Sequence, residues 1–73
     1  MYYHRLRDLR EDRNKKIDQA EIAKLLKTTQ QTYSNWETGK REIPFRHVIT
    51  LAKFYDVSID YIAGLTNNKR GGK

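Results

Sequence analysis

Thr28 to Arg41 reads TTQQTYSNWETGKR, and the fold follows from how this stretch divides around a helix. It opens on hydroxyl residues able to cap a helix and sets two glutamines, Gln30 and Gln31, in the first turn. It closes on Gly39 with Lys40 and Arg41 behind it, a helix stop with cations beside it. At about 100° per residue, Gln30, Gln31, Ser34 and Asn35 fall at roughly 0°, 100°, 40° and 140°, whereas Tyr33 and Trp36 fall at roughly 300° and 240°. One face is amide and hydroxyl; the other is aromatic. Such a helix buries its aromatic side and presents side chains able to read base edges.

Working outward, Asp18 with Glu21 three residues on predicts the start of a preceding helix, packed through Ala20, Ile22, Ala23 and Leu26 and ending near Leu26 or Lys27. Only Lys27, Thr28 and Thr29 separate it from the Gln-rich helix. A connection that short forces a corner, the helix-turn-helix arrangement. Upstream, Tyr2 to Asn14 predicts an amphipathic first helix with apolar positions at Tyr2, Leu6 and Leu9, of which Leu6 and Leu9 face the core, followed by a polar loop at Asn14 to Lys16. Arg10 sits at that helix's edge, where its guanidinium can stay in water or turn inward to a carboxylate. Downstream, Pro44 opens a fourth helix carrying Val48, Leu51, Ala52 and Tyr55, and Asp56 and Val57 break it. Ser58 caps a short fifth helix with Tyr61 and Ile62 on its packed side, which Gly64 stops. The reading is all-α, a compact bundle of five helices in one domain over 1–65, with 66–73 a basic, disordered tail.

Seventy-three residues without a cysteine allow one small core, no disulfide and no zinc finger, and leave little room for a catalytic cleft. Neither a bilayer-spanning apolar run nor a signal-peptide order is present, so a soluble, cytoplasmic protein is expected. Formal net charge is +6 and the sequence pI is about 9.8, which points to a polyanionic partner. No segment pairs a dense cationic face with a strong apolar one, so nucleic acid is favoured over a membrane surface.

The side chains suit that partner. A glutamine amide is donor and acceptor together and can meet adenine N7 and N6, which makes Gln30 the leading base reader. Gln31 can read a base or pack its stem on a thymine methyl, and Ser34 can reach a base, a phosphate or neither. Tyr33 and Trp36 are assigned to the core, since they lie opposite the glutamines. Lys40 and Arg41 follow the helix and are expected at phosphates, as is Gln19 at the start of the preceding helix. Arg46 extends the same track. His4 and His47 are far apart and lack a carboxylate cluster, no glycine-rich phosphate loop is present, and Ser34 and Ser58 have no base and orienting partner. Neither an enzyme nor a metal or cofactor site is expected.

Several further motifs fall in order around this corner: Leu9-Arg10-Glu11, Gln19 with Ile22-Ala23, Trp36-Glu37 followed by Gly39 and Pro44, Leu51-Ala52, and Val57-Ser58-Ile59-Asp60-Tyr61-Ile62. With them the chain resembles the Cro/repressor-type (XRE-like) helix-turn-helix DNA-binding family over roughly Leu6 to Leu65. TTQQ at Thr28 to Gln31 is similar to the recognition-helix start of a lambdoid phage repressor. The resemblance implies a recognition helix at about Gln30 to Glu37 in the major groove, with Gln30, Gln31 and Asn35 at base edges and Gln19 and Thr29 at phosphates. It also implies an ion pair of Arg10 with Glu37. In function it implies a homodimeric repressor on a pseudopalindromic operator, in a bacterial or phage-encoded, nucleoid-associated setting, with no membrane or small-molecule partner. An antitoxin-like or anti-regulator interaction module on the same fold is the alternative. Two positions depart from the family: Lys27 stands where the turn usually has glycine, and the loop from Arg13 to Ile17 is about two residues longer than usual. The surplus apolar residues Ile49, Phe54, Ile59, Ala63 and Leu65 are the candidate dimer surface.

Overall fold

Asp18, Thr29 and Ser58 stand in extended backbone, and each side-chain oxygen accepts the backbone N–H three residues on. These are N-caps, and each starts a helix where the sequence predicts one. The structure, a computed structural model, describes residues 3–12 and 16–69 and holds five helices and no strand among them. They are α1 (Arg5–Arg10), α2 (Gln19–Leu25), α3 (Gln30–Glu37), α4 (Phe45–Tyr55) and α5 (Ile59–Ile62). Pro44, with φ fixed at −59°, leads into α4.

The helices also share a way of stopping. At the ends of α2, α4 and α5 a residue with positive φ, Lys27, Asp56 or Gly64, turns the chain into the left-handed region. The residue after it returns its N–H to a carbonyl five back: Thr28 to Ala23, Val57 to Ala52, Leu65 to Asp60, each at 2.9 Å. Carbonyls left open by the helix end are thereby satisfied. Gly39, at φ 85°, makes the corresponding turn after α3.

Lys27 is therefore left-handed, in the turn that aims α3. That conformation costs an L-residue roughly 1–2 kcal/mol, of which glycine's larger chain entropy would take back about 0.5–1 kcal/mol. Lys27→Gly is expected to raise the melting temperature by roughly 2–8 °C. A thermal melt showing no gain or a loss would contradict this account of the turn.

The core joins Tyr3, Leu6 and Leu9 to Ile22, Ala23 and Leu26, and to Tyr33, Ile43, Val48, Leu51, Ala52 and Ile62. Two expectations need correction here. The first helix is shorter than predicted: it ends at Arg10, whose carbonyl accepts the N–H of Ile17 at 3.0 Å. Tyr3 is buried beside Leu6 and Leu9, whereas Tyr2 lies outside the described residues. Ala20 is exposed, since it falls about 60° beyond Ala23 on α2 and away from Ile22 and Leu26. Of the predicted loop at Asn14 to Lys16, residues 14 and 15 lie outside the described residues, and Lys16 is exposed.

Beyond α5, Arg5 donates to the carbonyls of Tyr61 and Thr66 and to Asn67 Oδ1, and lies 4.3 Å over the Tyr61 ring. The Ser58 N–H meets the Lys69 carbonyl at 2.6 Å. Residues 66–69 thus run back beside α5 from its end to its start, while 70–73 lie outside the described residues. No helix among the described residues is long and apolar enough to cross a membrane.

Candidate nucleic-acid interface

The division read along α3 in sequence is present in space. Tyr33 is wholly buried and Glu37 is 4% exposed. Gln30 and Gln31 are exposed, with Ser34 and Asn35 half-buried. Trp36 is half-buried: it packs against the core and meets His47 of α4 at 5.1 Å between ring centroids, tilted by 30°. Burial, then the Arg46 charge, lowers the His47 pKa.

Glu37 is the one buried charged residue among those described, and its partners fix the attitude of the helix. Arg10 grips it with two hydrogen bonds, Nε to Oε2 at 2.8 Å and Nη2 to Oε1 at 2.9 Å. The same guanidinium donates to the Ile17 carbonyl at 3.1 Å. One arginine therefore joins α1, the lead-in to α2, and α3. Burial by itself would raise the Glu37 pKa, but the hydrogen bonds from Arg10 and Gln19 and the nearby Tyr33 hydroxyl outweigh it and hold the carboxyl below its ordinary value. The bond to Glu37 in turn raises Arg10. The buried Tyr33 and Tyr55 hydroxyls make no hydrogen bond of normal geometry among the described residues. Burial pushes both up, Tyr55 to about 12, and the Glu37 charge adds to it.

Around this pair lies an open polar cleft of ≈ 550 Å³, lined by Arg7, Arg10, Gln19, Gln30, Glu37 and Thr38. It brings the first reader, Gln30, together with Gln19, the side chain expected at a phosphate. Gln19 donates from Nε2 to Glu37 Oε1 at 3.2 Å, which leaves its other N–H for a ligand and orients the amide. Thr29 is occupied by its own helix: its hydroxyl accepts the Thr32 N–H at 3.1 Å and donates to Thr32 Oγ1 at 2.9 Å. Lys40 and Arg41 are exposed just past Gly39, and the Arg41 N–H anchors to the Asn35 carbonyl at 3.1 Å. Arg46 is exposed on the first turn of α4.

Arg7 was not singled out from the sequence, yet it lines the cleft. Its signal was there: it stands three residues before Arg10 on α1, hence on the same face. It also lies 3.4 Å from Glu11. Chemically, the surface offers amides for base edges, cations and amide N–H groups for phosphates, and a rigid base beneath them. No group of three or more metal-ligating side chains occurs among the described residues.

A family model described as helix-turn-helix matches residues 6–62. The chain is 35% identical over 68 residues to "Uncharacterized HTH-type transcriptional regulator YobD" of Bacillus subtilis (strain 168), covering 93% of this chain and 59% of that protein. It is 31% identical over 58 residues to "Uncharacterized HTH-type transcriptional regulator YqaE" of the same organism, covering 80% of this chain and 50% of that one. The chain thus spans between 50% and 59% of the length of these relatives. No solved structure matches it.

Proposed function

This chain belongs to the helix-turn-helix family, and from that membership we propose that it is a sequence-specific double-stranded DNA-binding transcriptional regulator, acting as a repressor. The family consists of DNA-binding regulators and not enzymes. The observation that carries the reading is the amide stripe of α3, with Gln30 and Gln31 exposed above a helix whose reverse side, Tyr33 and Glu37, is locked into the core. In this reading α3 enters the major groove, where Gln30, Gln31 and Asn35 face base edges and Ser34 sits beside them. Gln19, Arg7, Lys40 and Arg41 meet phosphates, and Thr29 contributes through the helix start it caps. Repression needs nothing more than occupancy, because a bound protein blocks the duplex to other proteins.

The active form in this proposal is a homodimer on a pseudopalindromic operator, its two recognition helices about 34 Å apart. Leu65 at 73% and Phe54 at 43% exposure support it as apolar surface that a lone small domain leaves in water. Ile49, Ile59 and Ala63, all half-buried, lie beside the same elements. Sedimentation on and off DNA is expected to give two chains per site; one chain per site would remove the dimer. The same apolar surface would serve an antitoxin-like or anti-regulator module, which differs in needing no preferred duplex.

Random-duplex selection with the purified chain is expected to return a two-fold-related motif, and an unenriched pool would refute specific reading. Lys40→Ala is expected to weaken all duplexes alike and to lower the slope of log affinity against log salt by about one unit. A change confined to one sequence would contradict its assignment to phosphate.

A further inference from the structure

The reading face of α3 carries a hydrogen bond of its own: Gln31 Nε2 donates to Asn35 Oδ1 at 3.3 Å, one helical turn along. Gln31 is exposed, whereas Asn35 is half-buried and its backbone carbonyl accepts from the Arg41 N–H. Asn35 is the more enclosed of the two, and the bond acts on how its amide faces outward. An untied amide can turn over and offer its donor or its acceptor to the same place. Tied through Oδ1, Asn35 presents its NH2 group. Gln31 keeps its oxygen and one N–H.

We propose that Gln31 and Asn35 form a single reading unit, in which Gln31 sets the orientation of Asn35 so that Asn35 reads as a donor. This rests on the DNA-reading function above and deepens it. The base edge that matches a donor-only group in the major groove is guanine, with acceptors at both N7 and O6. The edge that matches the remaining oxygen and N–H of Gln31 is adenine, with N6 as donor and N7 as acceptor. Asn35 is here specific through a neighbour, and Gln31 is a positioning residue as well as a reader. Two adjacent base preferences are linked as a result, where independent readers would give two separable ones.

Random-duplex selection followed by titration of the top sequences tests this with the wild-type chain, Gln31→Ala, Asn35→Ala and the double variant. Alanine is a strong helix former, so all three variants keep α3. Gln31→Ala is expected to alter two base positions: its own, and that of Asn35, where guanine over adenine falls by about threefold or more as the amide is freed to invert. The affinity loss of the double variant is expected to be at least about threefold smaller than the product of the single losses. Strictly multiplicative losses, with Gln31→Ala changing one position alone, would overturn the unit while leaving specific DNA reading intact. A wild-type selection without any preferred base would instead overturn the DNA reading, and this inference with it.

Discussion

Glu37→Ala is expected to remove about 3 kcal/mol of folding stability, the largest effect of any single surface-remote change in the polar network. The reason is asymmetric: the substitution deletes the acceptor of two Arg10 hydrogen bonds and one from Gln19, and leaves a largely enclosed guanidinium with the more exposed Glu11 carboxylate, 3.5 Å away, as its remaining counter-charge. A domain of this length is stable by roughly 4–11 kcal/mol, so the loss takes a large share. It corresponds to a fall in melting temperature of roughly 12–24 °C. Arg10→Ala belongs to the same unit, and the double variant should lose much less than the two single losses combined. A melt of Glu37→Ala within about 0.5 kcal/mol of wild type would mean that the pair holds nothing in place.

The same carboxyl gives stability a direction with pH. Its pKa in the folded state lies below the ordinary 4.5, so the unfolded chain binds the proton first. The contribution is complete above about 4.5 and is lost as pH falls through the folded value. Glu37→Gln, which cannot titrate, should flatten that part of the acid limb. The tyrosines act at the other end. Their folded pKa values are raised above 10, so their contribution is present below that pH and is lost as pH rises, for Tyr55 through about 12.

Gln30→Ala is expected to leave the fold alone and relax one base position of the operator. Gln30 is exposed on the first turn of α3 and lines the cleft with Gln19, so its removal opens no core cavity, and stability should stay within about 0.5 kcal/mol. A bidentate amide contact to adenine discriminates by roughly 1–3 kcal/mol, which is about 5- to 150-fold in relative affinity at that position. Other positions and the salt slope should be unchanged, in contrast to Lys40→Ala. An identical preference profile for the variant would refute the role given to Gln30.

Much of this fold was legible because its start and stop signals are local chemistry. Asp18, Thr29 and Ser58 are short side chains able to accept a nearby N–H, and the residues following each have helical period. What was not legible depends on partners far along the chain. Ile17 caps the Arg10 carbonyl where α1 ends, and Arg5 binds residues 66 and 67 from the opposite end of the sequence. Periodicity places Tyr33 and Trp36 on one side of α3, yet Tyr33 is enclosed and Trp36 only half so, because Trp36 packs at the margin of the core with the ring of His47 beside it. At the interface the outward amides could be read from their angles around the helix. The cleft position of Arg7 and the bonds of Gln19 and Gln31 needed three dimensions, since each depends on a rotamer or on a neighbouring helix.

In the proposed function α3 reads base sequence in duplex DNA. The most direct measurement is equilibrium binding of the wild-type chain to its selected duplex and to a scrambled duplex of the same composition, across about 50–200 mM salt. Both affinities should fall steeply with salt, while the selected duplex stays at least about 10³-fold tighter throughout. Equal affinity for the two duplexes at every salt concentration would contradict the account.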